Sequence, residues 1–551
     1  MNRRKLLKSA AGLGTGLMLA DVIRLYTGVQ KTILRQAFAN SGDDVLSRSY
    51  LNFHLSGAPP RFLFDQWLTP NATDITLSAA DATTWNPGIA TAFDSNNPVY
   101  KLMTYKGVQV PSYYQSNITG KNADRPMSDL LDHMAVIRGY NSVTDGHEIN
   151  EPLQTYPDPG APSLSGLAAD NRKDLIAGIS SSLTSARHFH SMNGHSLTTV
   201  YDHYATGGSI NGLMKAFKAT ATSRQGLLGI DAVQSVVDQL HEVAQAKASA
   251  DNARSAAIKD QLSAARKLAL MAAEDLGTQW SALFNKYHLL ARTSIRNTAT
   301  TPGFSENAIR FASGEPNSFE GTPVDPAFDM RGAYAAANPV DAMIRNFALA
   351  EYCLTKGITG SLSLGFGNML QELSVVKVGE TAVTKLFCGS DQHGTPNRIA
   401  TVIAAGFYRG FASNLIELID VLRNTPMVGG GSMFDKTVIH VTGDFARNPR
   451  TDQIGSDHAW NGQVASVFSG VVPGPFIVGN IAATGTSGYK GIWGRSALVD
   501  FNGSKETLSP RHMAAAVSHL LGGKNPWNFT NLVWQLDSSG RLQPKIGAKI
   551  L

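Results

Sequence analysis

The spacing of apolar and polar positions changes character several times along this chain. Residues 50–56 alternate apolar and polar side chains and stop at Gly57-Ala58-Pro59-Pro60, the pattern of a strand running into a sharp turn. Residues 130–140, with Leu131, Met134, Ala135, Val136 and Ile137, predict a helix end leading into a buried strand. Residues 141–200 are rich in Ser, Gly, His, Asn and Pro and read as loops draped over a site. From 212 to 292 the composition shifts to Ala, Leu, Lys, Gln and Asp, and Val233, Val236, Val237, Leu240, Val243 and Ala244 recur at helical spacing. That stretch predicts a helical insertion, its charged part at 247–267 a solvated face. Residues 296–338 read as loop.

Further on, helices and short strands alternate. Residues 339–356 predict a helix and 360–366 a strand. Residues 400–423 form a long apolar-faced helix through Val402, Ile403, Phe407, Phe411, Leu415, Leu418 and Leu422. Residues 436–442 are a strand rich in β-branched side chains, 464–468 and 476–478 are further strands, and 510–521 is a helix stopping at Gly522-Gly523. Helices alternating with continuously apolar strands imply an α/β fold, a mostly parallel sheet covered on both faces. The expected organisation is a leader at 1–39, the first part of the α/β domain at 40–211, the helical insertion at 212–295 and the rest of the domain at 296–551. No internal repeat is detected.

Composition narrows the function. Of 551 residues, 43% are apolar and 17% charged, which excludes a disordered chain. The net charge of +5 is scattered rather than gathered into a stripe, so nothing argues for a nucleic-acid partner. Two cysteines, Cys353 and Cys388, are too few for a disulfide framework or a Cys-based zinc site; they read as small buried thiols, with a mutual disulfide as the alternative. The N-terminus pairs Arg3-Arg4 with Leu6-Leu7-Lys8 and a short, weakly apolar stretch at 9–20, similar to a twin-arginine (Tat) export signal. Ala37-Phe38-Ala39 offers a cleavage site; the alternative is a basic amphipathic helix that stays on the protein. The expectation is a protein handed to the Tat translocase, periplasmic or extracellular. Beyond residue 40 no apolar run approaches membrane-spanning length.

In open parallel sheets ligands sit at the carboxyl ends of strands. Three segments expected there carry Asp391-Gln392-His393, Asp444-Phe445-Ala446-Arg447 and Asp457-His458. Mixed carboxylate and imidazole donors suit Zn, Mn or Fe better than Mg or Ca. His188, His190 and His195 offer a second, loop-borne histidine cluster, read mainly as hydrogen-bonded loop residues. His512 and His519, on the last helix, read as surface or packing residues.

The ordered motifs Phe53-His54-Leu55-Ser56-Gly57-Ala58-Pro59-Pro60, Met134-Ala135-Val136-Ile137-Arg138, Pro162-Ser163-Leu164-Ser165-Gly166, Ser390-Asp391-Gln392-His393, Gly443-Asp444-Phe445-Ala446-Arg447 and Gly455-Ser456-Asp457-His458, with His147 after the second, carry a resemblance. Behind the twin-arginine leader, this order resembles an uncharacterised exported bacterial family, a domain of unknown function related to sulfatases and alkaline phosphatases. It covers residues 45–200 and 335–523. The resemblance implies a three-layer α/β/α sandwich of the alkaline-phosphatase and sulfatase type, with one or two divalent ions polarising a phosphate or sulfate ester. By position it implies Asp391, His393, Asp444 and His458 as metal ligands, Arg447 as a bidentate clamp on an oxyanion, and His147 near the place of the nucleophile. Departures accompany it. Ser56 stands where relatives end the first strand with a metal-binding Asp, and Arg61 and Leu63 stand where a His and an Asp are usual. Phe445 stands where phosphatases place a His, and no Cys/Ser-x-Pro-x-Arg nucleophile motif is present; Ser142 and Thr144 are poor substitutes. The reading is an exported metal-dependent hydrolase of an anionic small-molecule or glycan ester. Its alternative is a non-catalytic cell-envelope binding or structural protein on the same fold; a secretion or surface-complex adaptor built on the helical stretch is a weaker third.

Overall fold

The computed structural model describes residues 48–70, 102–199, 276–300, 318–323, 330–449, 456–483 and 494–546, apart from a few positions inside these ranges. The leader expected at 1–39 and the helical stretch before residue 276 lie outside them. The chain divides into two compact units, one made of Met1–Asp44, Met192–His195 and Asn211–Gly277, the other of Val45–Ser191, Ser196–Ile210 and Thr278–Leu551. The following concerns the second unit.

Its elements, in chain order, are β1 (Ser49–Leu55), β2 (Met134–Tyr140), α1 (His147–Leu153), α2 (Leu164–Asp170), β3 (Ile179–Ser180), β4 (Thr198–Thr199), α3 (Leu276–Arg296), α4 (Asp341–Thr355), β5 (Ser361–Gly365), β6 (Met369–Val376), β7 (Val383–Gly389), α5 (Asn397–Arg423), β8 (Thr437–Gly443), β9 (Ala446–Pro449), β10 (Ser456–Ala459), β11 (Gln463–Phe468), β12 (Phe476–Val478) and α6 (Pro510–Leu520), beside shorter hairpins. The expected strands and helices from 339 onward are all present within a few residues. Two stretches read as loop are not wholly so: residues 141–200 hold α1 and α2, and Met330–Ala335 forms a helical turn. Polar, Gly-rich sequence obscured α1 and α2; α1 has no side-chain cap, and its Asn150 instead bonds back to the carbonyls of Thr144 and Gly146. Ser163 caps α2 by accepting the Gly166 N–H at 3.0 Å.

Among the described residues, eight strands form the central sheet in the order β12-β2-β11-β8-β1-β5-β3-β4. Every pairing is parallel except those of β11, which runs antiparallel to β8 and β2. The sheet is thus mostly parallel, and smaller antiparallel sheets surround it. One of them contains the β6–β7 hairpin, and another is the β9–β10 hairpin.

Strand alternation divides β1 between two cores. Phe53 faces one side, where its ring lies 4.5 Å from Phe347 of α4, 5.6 Å from Phe366 and 5.9 Å from Phe411 of α5. Tyr50 faces the other, in a buried cluster with Leu164 and Ala168 of α2 and Met513, Ala514, Val517 and Leu520 of α6. Helices therefore cover both faces, as the apolar strands required. Helix α6 begins where its sequence says it must: Ser509 and His512 form a capping box and Pro510 takes the first turn. It ends before Gly522, whose φ of +76° suits a residue without Cβ. Both cysteines are buried and no disulfide joins them, so the disulfide alternative does not hold. No helix among the described residues is long and apolar enough to cross a membrane.

Candidate metal centre

Strands β1 and β8 run side by side and end together, with Leu55 opposite Gly443. Residues just past those ends, and past β2, which lies beyond β11 and runs parallel to β8, meet at this carboxyl edge. Asp444 follows β8 directly. His147 opens α1 after the 141–146 loop, which leaves β2 and turns at Gly146 with a φ of +112°. Asp391 and His393 follow β7, a strand of the side hairpin rather than of the central sheet. His458 lies on β10, opposite Arg447 of β9, so it belongs to a strand and not to a loop.

Four of these side chains converge. His147, Asp391, His393 and His458 each offer one ligand atom, all within 4.8 Å of one another. His393 Nε2 lies 2.7 Å from His458 Nε2 and 3.3 Å from Asp391 Oδ1, and His147 Nε2 lies 3.5 Å from Asp391 Oδ2. Zn–N and Zn–O bonds of about 2.0–2.1 Å in a tetrahedron put ligand atoms about 3.3 Å apart, close to these spacings. Two of the three rear nitrogens are hydrogen-bonded to carboxylates, and the third only faces one. His147 Nδ1 lies 2.6 Å from Asp444 Oδ2 and His458 Nδ1 lies 2.5 Å from Asp145 Oδ1, while His393 Nδ1 faces Asp457 Oδ1 at 3.8 Å. A carboxylate behind the rear nitrogen of an imidazole puts the hydrogen there and turns the front lone pair toward an ion. Three histidines so arranged, plus a carboxylate, form a donor set for Zn, Mn or Fe.

Deeper in, Asp444 is 2% exposed and links the cluster to the core. Its Oδ2 also accepts the Gly57 N–H at 2.8 Å, and its Oδ1 lies 2.6 Å from His54 Nε2. With Glu151, whose Oε1 is 3.8 Å from His54 Nε2, these residues form a second, buried group of donors. Phe445 packs its ring 3.9 Å from that of His458 and 4.6 Å from that of His147, walling the imidazoles from behind.

The electrostatics follow from the same neighbours. For His147, burial opposes the charged form, but the Asp391 and Asp444 carboxylates outweigh it and lift the imidazole to about 9. Burial would raise the Asp391 carboxyl, yet His147 and Arg447 hold it well below the usual range. Asp444 is held down likewise, by His147 and His54 against its burial. Burial pushes His458 down to about 4, Asp145 resisting and Arg447 adding to the fall. His393 is lowered by burial and by Arg447.

Two residues sit differently from the sequence expectation. Arg447 is fully buried, and its guanidinium is already spent: Nε donates to Ala58 O at 2.7 Å, Nη2 to Gly57 O at 2.8 Å and to Asp391 Oδ1, and Nη1 to Ser456 O at 3.3 Å. A fork so occupied has no pair of N–H groups left for an oxyanion; it steadies Asp391 and the turn after β1. Asp444 is outside the converging four and stands behind His147. Ser142 is no better placed as a nucleophile, since its buried Oγ bonds Asn150, Trp460 O and Gln463 Nε2. Arg61 ion-pairs with Asp65 in the interior.

The bland readings of the remaining histidines agree with their surroundings. Among the described residues, neither metal-capable group includes His188, His190 or His195, and His190 Nδ1 is bonded to Ala161 O at 2.7 Å. His512 packs between the rings of Phe501 and Phe529. His54 and Asp145 were missed as site residues. His54 had a signal: with Tyr50 and Asn52 it makes a polar row at alternate positions of a strand buried on both faces, a costly pattern unless each group is bonded. Asp145, in a polar loop, had none. No protein-family model matches this chain, and no curated protein or solved structure matches it.

Proposed function

We propose that the protein is a metal-dependent hydrolase of a sulfate or phosphate ester, its divalent ion held by His147, Asp391, His393 and His458. The observation that carries this reading is the convergence of three imidazoles and one carboxylate, two of the imidazoles, His147 and His458, being hydrogen-bonded at the rear nitrogen to a carboxylate. When bound, such an ion supplies Lewis acidity toward water and toward an ester oxygen. Among the described residues the carboxylates of Asp145, Asp391, Asp444 and Asp457 surround the cluster against one guanidinium, Arg447. A site of that balance attracts a cation first, and an anionic ester would be recruited through the cation. Asp444 and Asp145 keep the hydrogens of His147 and His458 on their rear nitrogens. Phe445 keeps water from the back of the cluster. Asp391 and His393, each more than two-fifths exposed, leave the front open to a ligand. With Ser142 engaged in the interior, water is the nucleophile.

The position at the strand ends of a mostly parallel sheet and the order of the motifs support this reading, as does the twin-arginine leader, which fits a protein exported after folding. One observation favours a second reading, a non-catalytic cell-envelope binding protein on the same scaffold: Arg447, the natural anion clamp, is committed to backbone carbonyls. Elemental analysis of the purified protein beside His393→Ala/His458→Ala, followed by a panel of aryl sulfates and phosphates, separates the two. About one Zn, Mn or Fe per chain, absent from the variant, with ester turnover supports the hydrolase. Metal without turnover supports the binding protein, and no metal in the parent overturns both the ion and the hydrolysis.

A further inference from the structure

The polar row on β1 and β8 has a direction, and one backbone carbonyl sets it. The carbonyl of His440 can only accept, so the Asn52 amide must turn its nitrogen toward it, at 3.1 Å. The second N–H of the same nitrogen then points at Thr442 Oγ1, 3.0 Å away. The Thr442 hydroxyl still has its hydrogen to give, and its other neighbour, His54 Nδ1, lies 3.0 Å away to accept it. His54 Nδ1 is thereby the acceptor, and its hydrogen sits on Nε2, which donates to Asp444 Oδ1 at 2.6 Å. Asp444 is left with Oδ2 for Gly57 N–H at 2.8 Å and for His147 Nδ1–H at 2.6 Å. With Nδ1–H committed to Asp444, Nε2 is the His147 nitrogen that faces Asp391, at 3.5 Å, and the one left to offer its lone pair to an ion. The strand register supplies the alignment, since Asn52 stands opposite His440 and His54 opposite Thr442.

We propose that Asn52, Thr442 and His54 are positioning residues for the metal centre: a one-way hydrogen-bond chain from the His440 carbonyl that fixes Asp444 and, through it, the tautomer and orientation of His147. The inference rests on the metal reading above. Each link is buried, Asn52 at 0%, Thr442 at 0% and His54 at 1% exposure, so water offers no substitute partner. Asn52 Oδ1 has no hydrogen-bond partner, as expected for an amide turned by its nitrogen alone. Outer partners of this type change metal affinity by about 10- to 100-fold.

The test is titration with Co²⁺ alone, followed by its visible absorption, on the full chain and on Thr442→Val and Thr442→Ser. Valine keeps the shape and removes the hydroxyl; serine keeps the hydroxyl. The expected result is Co²⁺ binding weakened about tenfold in Thr442→Val with a changed absorption band, and both restored in Thr442→Ser, at unchanged circular dichroism. Should Thr442→Val not fold, Thr442→Ala against Thr442→Ser carries the same comparison. Equal affinity and spectrum in parent and hydroxyl-less variant overturn the positioning chain while leaving the metal centre standing. Absence of Co²⁺ binding by the parent overturns the metal centre itself, and the chain with it.

Discussion

Replacing Arg447 with methionine separates a structural keystone from an anion clamp. The side chain is fully buried and donates to three backbone carbonyls, those of Ala58, Gly57 and Ser456, and to Asp391. Methionine fills similar space and supplies no donor. Three buried acceptors lose their partner, each costing about 1 kcal/mol or more. Losing the cation also leaves Asp391 without its neutralising neighbour; because Asp391 is 44% exposed, that part is discounted to about 1 kcal/mol. The sum is about 4 kcal/mol, with Arg447→Lys losing about half as it keeps the charge but not the fork. Urea unfolding followed by circular dichroism reads this as a lowered midpoint at unchanged slope. A clamp pointing into an open site would behave otherwise, with ligand affinity lost and stability unchanged. A loss of stability below about 1 kcal/mol would refute the assignment of Arg447 to the scaffold.

Asp444→Asn puts a carboxamide of the same shape in place of the carboxylate and can present an N–H where His147 needs an acceptor. Metal affinity in equilibrium dialysis should fall about 10- to 100-fold without vanishing, whereas complete loss would make Asp444 a ligand. Acid should destabilise the protein through two buried imidazoles, since burial pushes His440 down to about 3, with Arg61 and His54 adding to the fall, and pushes His512 down to about 4. Both are neutral when folded and bind protons near pH 6.5 when unfolded, so their share of the stability is intact above that pH. It falls by about 1.4 kcal/mol per unit for each histidine as pH drops from 6.5 toward 4. His440→Gln should flatten the slope by one such share, and an unchanged slope in urea melts across that range contradicts the burial argument. Phe53→Ala, deep between α4 and α5, should cost about 3–5 kcal/mol by the same melts; a cost under 1 kcal/mol would mean that this face of the sheet is not packed as described. Zinc at a hundred times its dissociation constant should add about 2.7 kcal/mol to stability, reversed by a chelator, and no shift of the thermal midpoint with either addition argues against the site.

What could be read from the residues, and what could not, follows the range of the interactions involved. Strands β1, β2, β5, β8 and β11 announce themselves by continuous or alternating apolar runs, and α5 by the apolar stripe at 400–423, because burial on both faces leaves polar side chains few positions. Helices α1 and α2 did not, since Ser, Gly, Asn and Pro weaken the local pattern and much of what holds them is tertiary. Strands β9 and β10 are four residues each and exist by pairing with one another. Of the expected metal residues, Asp391, His393 and His458 meet at one point, joined by His147, which the sequence had placed near the site in another role. The exchange of roles between Asp444 and His147 could not be read off, because it depends on which side of the β8 end each side chain takes. Arg447 was misread for a similar reason: an arginine near carboxylates has the same sequence signature whether it faces a ligand or three carbonyls.

The two aspartates nearest His147 show why the centre has a front and a back. Asp444, 3% exposed in its side chain, takes donors from three directions: His54, Gly57 and His147. A carboxylate so saturated gains little by turning toward an ion and serves better as a fixed acceptor. Asp391, 44% exposed, is steadied by Arg447 from behind and meets His147 and His393 in front at 3.5 and 3.3 Å, distances at which an ion can replace the imidazole contacts. On the proposed metal reading, ion exchange and ligand entry thus belong to the Asp391 and His393 side, and rigidity to the Asp444 side. The same β1 that carries Phe53 into one core carries Asn52 and His54 toward the other face, so the strand that anchors the fold also anchors the rear of the site.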